Sequence, residues 1–139
     1  WGSSATLTNA KMLVNVYGTK DILTRVQDIL PLPVAIAGYR ESWGGFVAGD
    51  LEKPLFNIEI EGAGHFDYIR GVDDYSSISD PEERKAAETR NKLVSNFVAQ
   101  LSLHCDDAEA MRKFLDENSY AQRDPNREYT WIISIPGVV

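Results

Sequence analysis

Two residues in this chain stand where side chains do acid–base chemistry. His65 closes the run Asn57-Ile58-Glu59-Ile60-Glu61-Gly62-Ala63-Gly64-His65, and Asp21 closes Leu13-Val14-Asn15-Val16-Tyr17-Gly18-Thr19-Lys20-Asp21. In the first run Ile58 and Ile60 alternate with Asn57, Glu59 and Glu61, which is the period of a strand, and Gly62 and Gly64 then end it. In the second, a short apolar run from Lys11 to Tyr17 is rich in strand formers and stops at Gly18, as suits a mostly buried strand of a parallel sheet. Each run thus delivers a titratable side chain to a loop at a strand's C-terminal end, the edge where open α/β sheets gather ligands and catalytic groups. An imidazole takes and returns protons near neutral pH, and a buried carboxylate beside it fixes its tautomer and stabilises its cation. Each residue also has a plainer reading. Asp is a preferred helix N-cap, and a loop histidine is often just hydrogen-bonded.

The rest of the chain supplies elements that would position this pair. Ile22, Leu23, Val26, Ile29 and Leu30 recur at helical spacing, and Pro31 and Pro33 stop the helix they predict. Val34 to Ala37 reads as a further short strand, and Trp43-Gly44-Gly45-Phe46 as a turn carrying two aromatic groups. The strand before His65 is expected over Leu55 to Glu61, and residues 67–79 form a polar loop after it. Asp80-Pro81-Glu82-Glu83 is a helix start, with Asp80 as cap and Pro81 at the first helical position. That helix is expected to run to about Cys105, burying Leu93, Val94, Phe97, Val98, Leu101 and Cys105. Asp106 to Glu109 repeats the capping spacing, predicting a second helix with Ala110, Met111, Phe114 and Leu115 inward. Asp124-Pro125-Asn126 is a turn, and Tyr129 to Ile135 a last strand before Pro136-Gly137. No internal repeat or linker divides the chain, so residues 1–139 are expected to form one domain with residues 1–10 as a flexible lead-in.

The sequence strand, Gly-Thr-Lys-Asp21, helix, followed by strand, Gly-Ala-Gly-His65, loop, helix, resembles the C-terminal part of the α/β-hydrolase fold. The resemblance covers about residues 11 to 105, including the long helix after the histidine. It implies a partial α/β-hydrolase-like sheet of three to four mainly parallel strands with flanking helices. It also implies that Asp21 is the acid and His65 the histidine of a catalytic triad in an esterase- or lipase-like serine hydrolase, with no cofactor. The chain departs from the family in having no Gly-x-Ser-x-Gly elbow, and Ser42, Ser76 and Ser77 lack its setting. The resemblance therefore implies a C-terminal portion of a larger domain, with the nucleophile and first strands in an upstream part of the same polypeptide. Such a fragment is expected to be inactive alone towards the small ester or lipid substrate. Its strand from Lys11 would be an open sheet edge, inviting a homo-oligomer.

Composition removes several other classes. A formal charge of −7 and a pI near 4.8 argue against nucleic acid, whose affinity comes from Lys and Arg displacing counterions. No apolar stretch approaches the roughly 20 residues of a membrane-spanning helix. Cys105 is the only cysteine, which rules out an internal disulfide and suits a small buried apolar group. His104, near the apolar stripe at the end of the long helix, suits packing or a helix-end role. The acids Asp67, Asp73, Asp74 and Asp80 do not reproduce a calcium-loop pattern and read as a solvated acidic loop. The competing reading is a non-catalytic α/β binding module, with Trp43, Phe46, Phe66, Tyr68 and Tyr75 on its surface or in its packing.

Overall fold

In the computed structural model, residues 10–21, 46–65, 67, 75–122 and 130–139 are described. The helix expected over 22–30, the strand over 34–37, the turn at 124–126, and Trp43, Phe66, Tyr68, Asp73 and Asp74 lie outside them. Described elements run β1 (Leu13–Gly18), β2 (Val47–Ala48), β3 (Pro54–Ile60), α1 (Pro81–Ser102), α2 (Ala108–Asn118), β4 (Ser119–Gln122) and β5 (Thr130–Ile133).

The strands form one mixed, mostly parallel sheet in the order β1-β3-β5-β4. β1 and β5 lie parallel to β3 on either side, with Gly18 level with Ile60 and Ile133 level with the same residue. The two-residue β2 also pairs parallel with β3, through Val47 to Pro54 and Ala48 to Leu55. Only β4 runs antiparallel, pairing β5 with an irregularity between Ser119 and Ala121. This is an α/β arrangement of the expected coarse kind.

The alternation in β3 is as its sequence reads, but both of its faces are buried. Phe56, Ile58 and Ile60 meet Trp131 and Ile133 of β5 on the helix-covered face, against Val94, Phe97 and Leu101 of α1 and Met111 and Leu115 of α2. Asn57 and Glu59 are buried on the opposite face, where Asn15 Nδ2 donates to Asn57 Oδ1 at 3.4 Å. Strands of parallel sheets are commonly covered on both faces, so polar residues there must find partners within the protein.

The long helix begins as its sequence dictates: Asp80 Oδ1 accepts from Glu82 N–H at 2.8 Å and Glu83 N–H at 3.4 Å. It ends earlier than expected, at Ser102, because residues 103–106 turn to reach the next cap. Cys105 therefore leaves the buried stripe and is exposed, contrary to the expectation of a buried thiol. The next cap is Asp107 rather than Asp106, its Oδ1 accepting from Glu109 N–H at 3.0 Å and Ala110 N–H at 3.1 Å. His104 packs its ring 4.8 Å from that of Phe114, as a packing role requires. Arg112 Nη2 of α2 donates to Gly49 O at 2.9 Å, and Trp131 Nε1 of β5 donates to Asp116 Oδ1 at 2.9 Å, fixing α2 across the sheet. Among the described residues no helix is long and apolar enough to cross a membrane.

Candidate functional site

The turns that follow β1 and β3 are laced together before either carries a functional side chain. Thr19 N–H donates to Ile60 O at 3.1 Å and Lys20 N–H to Ala63 O at 3.0 Å, extending the β1–β3 pairing past the strand ends. Thr19 Oγ1 accepts from Gly62 N–H at 2.8 Å, which binds the two turns once more. Gly62 is needed for its backbone: its φ is +76°, and a Cβ there would stand 3.0 Å from Val139 Cγ2 and 3.2 Å from Val138 O. Asp21 N–H closes its own turn on Gly18 O at 3.1 Å.

This framework brings Asp21 and His65 together across 44 positions of sequence. His65 Nδ1 lies 3.1 Å from Asp21 Oδ2 and 3.2 Å from Asp21 Oδ1. Asp21 is 2% exposed, whereas the His65 side chain keeps 23% of its surface. A carboxylate only accepts hydrogen bonds, so the ring hydrogen facing it is on Nδ1 and the other nitrogen, Nε2, is left to exchange protons in the neutral form. Both side chains stand at the C-terminal ends of adjacent parallel strands.

A second carboxylate shapes the loop itself. Asp67 N–H donates to Gly64 O at 3.2 Å, so Gly64 to Asp67 is a tight turn with His65 inside it. Asp67 Oδ2 accepts from Gly64 N–H at 2.7 Å and from Arg90 Nε of α1 at 2.7 Å. Asp67 is 3% exposed, which corrects its reading as part of a solvated acidic loop. Buried carboxylates persist where they are paired and hydrogen-bonded, and the guanidinium meets that need. Nothing local to Asp67 signals this partner, because Arg90 lies 23 positions away on a helix.

Other candidates separate from the pair. Asp80 is occupied in capping α1. Among the described residues, no group of three metal-ligating side chains gathers. Phe46 and Tyr75 are buried, so their rings pack rather than present a surface. Tyr75 holds a φ of 54°, a left-handed conformation uncommon for a side chain of its size. Ser76 and Ser77 are exposed. An open hollow of about 320 Å³ lies between α1 and the C-terminal turn, lined in part by Lys85, Thr89, Arg90 and Val138, and neither Asp21 nor His65 lines it.

No protein-family model matches the chain, and neither a curated protein nor a solved structure does.

Proposed function

We propose that this chain carries the acid and the histidine of an α/β-hydrolase-like serine hydrolase, acting on a small ester or lipid. The observation that carries the reading is the direct approach of His65 Nδ1 to the buried Asp21 carboxylate, 3.1 Å, at the ends of neighbouring parallel strands. In that reading a serine Oγ supplied by an upstream part of the same polypeptide attacks the ester carbonyl. His65 Nε2 takes the serine proton and returns it to the leaving alkoxide. Asp21 stays ionised, holding the ring tautomer and stabilising the imidazolium. Among the described residues β1 pairs only with β3, which suits joining that upstream part or, in its absence, a second copy.

A non-catalytic binding module would leave Asp21 and His65 incidental to each other. Their direct bond, and the burial of Phe46 and Tyr75, favour the hydrolase reading.

The test begins with the coding sequence before Trp1, where the reading expects a strand followed by Gly-x-Ser-x-Gly. The whole polypeptide should then be labelled at that serine by a fluorophosphonate and hydrolyse p-nitrophenyl esters. Asp21→Asn should lower kcat on the order of 10⁴-fold and His65→Ala by about 10⁶-fold, as for triads elsewhere. Esterase activity unchanged in both variants, or no serine elbow and no labelling, would move the assignment to the binding module.

A further inference from the structure

The pair Asp21 and His65 accounts for one side of the imidazole, and it leaves unexplained why a second carboxylate is buried two residues further on. We infer that Asp67 and Arg90 are positioning residues for His65, holding the histidine turn against helix α1 so that Nδ1 faces Asp21. The inference rests on the proposed Asp21–His65 function and adds a further pair of residues to it.

The geometry gives each group one task. Asp67 Oδ2 joins the first and last residues of the Gly64–Asp67 turn, since it takes the Gly64 N–H at 2.7 Å while the Asp67 N–H donates to Gly64 O at 3.2 Å. His65 is therefore enclosed between two backbone groups that the same carboxylate fixes. Arg90 Nε, at 2.7 Å from that oxygen, anchors the turn to the helix. The opposite flank is fixed by Lys20 N–H on Ala63 O and Gly62 N–H on Thr19 Oγ1. With both flanks held, the ring is presented to Asp21 by the framework, and the Nδ1–H tautomer does not depend on the bond to Asp21 alone. Charge-assisted hydrogen bonds at a buried carboxylate are the strong ones, which suits a part that must not move. A merely structural ion pair would stabilise the fold without reaching the ring, and the ring itself reports the difference.

The experiment uses the 139-residue chain labelled with ¹⁵N-histidine, and reads the ratio of Nδ1–H to Nε2–H tautomers of neutral His65 from its two ring-nitrogen shifts. The indole signal of Trp131 and the far-UV circular dichroism report the fold. In the wild type the Nδ1–H form should dominate, and in Asp21→Asn it should not. In Arg90→Gln the ratio should fall about tenfold, the equilibrium worth of roughly one hydrogen bond, with the Trp131 signal unchanged. Arg90→Lys keeps the charge but not the Nε position, and should give an intermediate ratio; it decides the matter alone if Arg90→Gln does not fold. A wild-type ratio in Arg90→Lys and in any folded Arg90→Gln, even with a lowered melting temperature, would make the pair structural only and overturn the inference. A wild-type ratio equal to that of Asp21→Asn would instead overturn the Asp21–His65 pairing, and the inference with it.

Discussion

Tyr120 shows how a single exposed side chain is set by what lies across the sheet. Its phenol on β4 donates to Glu61 Oε1, just beyond the end of β3. That bond, then slight desolvation of the hydroxyl, then the charges of Glu61 and Glu59, push its pKa above the ordinary value of 10.0. Each cause favours the neutral phenol in the folded state. The bond's contribution to stability is therefore fully present below the unfolded value of about 10 and is lost as pH rises through the higher folded value. An absorbance titration should find one tyrosine ionising late in the wild type and absent in Tyr120→Phe. The difference in melting temperature between the two proteins should be constant at neutral pH and shrink in alkali. A gap that persists unchanged above the folded value would show that Glu61 does not hold the phenol. Among the residues, Asp21 and His65 are legible in the sequence because each follows a strand and a glycine, so local pattern places both at one sheet edge. Asp67, Arg90 and Thr19 are not legible, because their roles exist only once α1 and the two turns have come together.

At the scale of elements, what positions the site is the pair of turns after β1 and β3, and Gly62 is their most constrained residue. An L side chain at φ +76° adopts a left-handed backbone, and its Cβ would also press Val139 and the Val138 carbonyl, which close over the turn from the C-terminus. Gly64 has neither constraint: among the described residues its Cβ would meet only Asp67 Oδ2, at 3.4 Å. Gly62→Ala should therefore destabilise the chain by about 1–2 kcal/mol in urea titrations, the cost of a left-handed non-glycine residue. Gly64→Ala should stay within about 0.5 kcal/mol of wild type. Equal losses in the two variants would mean that the turn is not held by its backbone conformation. Strong local signals made β1, β3, β5 and the helix caps readable, since apolar period and capping chemistry act within a few residues. β2 and β4 carry no such signal. Val47–Ala48 is a strand only because β3 offers it an edge, and Ser119–Gln122 only because β5 does. The cap before α2 is Asp107 and not Asp106 because both acids are competent caps and the length of the preceding turn chooses between them.

At the scale of the whole molecule, the two edges of the sheet formed by the described residues are unequal, and the difference sets how copies of the chain should meet. β4 is short and exposed on alternate residues, and its register breaks between Ser119 and Ala121, features that discourage further pairing. Among the described residues β1 has no such protection. It is six residues long, carries half-buried Leu13, Val14 and Val16, and among the described residues pairs only with β3. Where no further segment of the chain covers that edge, its outer backbone groups are a template for another strand, and a two-fold axis would align β1 antiparallel with its copy. A charge of −7 on each chain opposes that approach. Salt screens the repulsion without touching the backbone hydrogen bonds, so association should strengthen as ionic strength rises. Sedimentation velocity across a concentration series should show a dimer that grows with both protein and salt. Hydrogen exchange should show the β1 amides gaining protection as the dimer forms, while those of β3, paired on both sides within one chain, do not change. Leu13→Lys, which puts a charge on the open edge, should shift the equilibrium back to monomer with the fold intact. Dimers that form with no change at β1, or a monomer at every concentration and salt, would place any assembly elsewhere. If an upstream strand of the same polypeptide occupies this edge, the longer protein should remain monomeric under the conditions that pair the shorter chain, since one strand's edge cannot serve both.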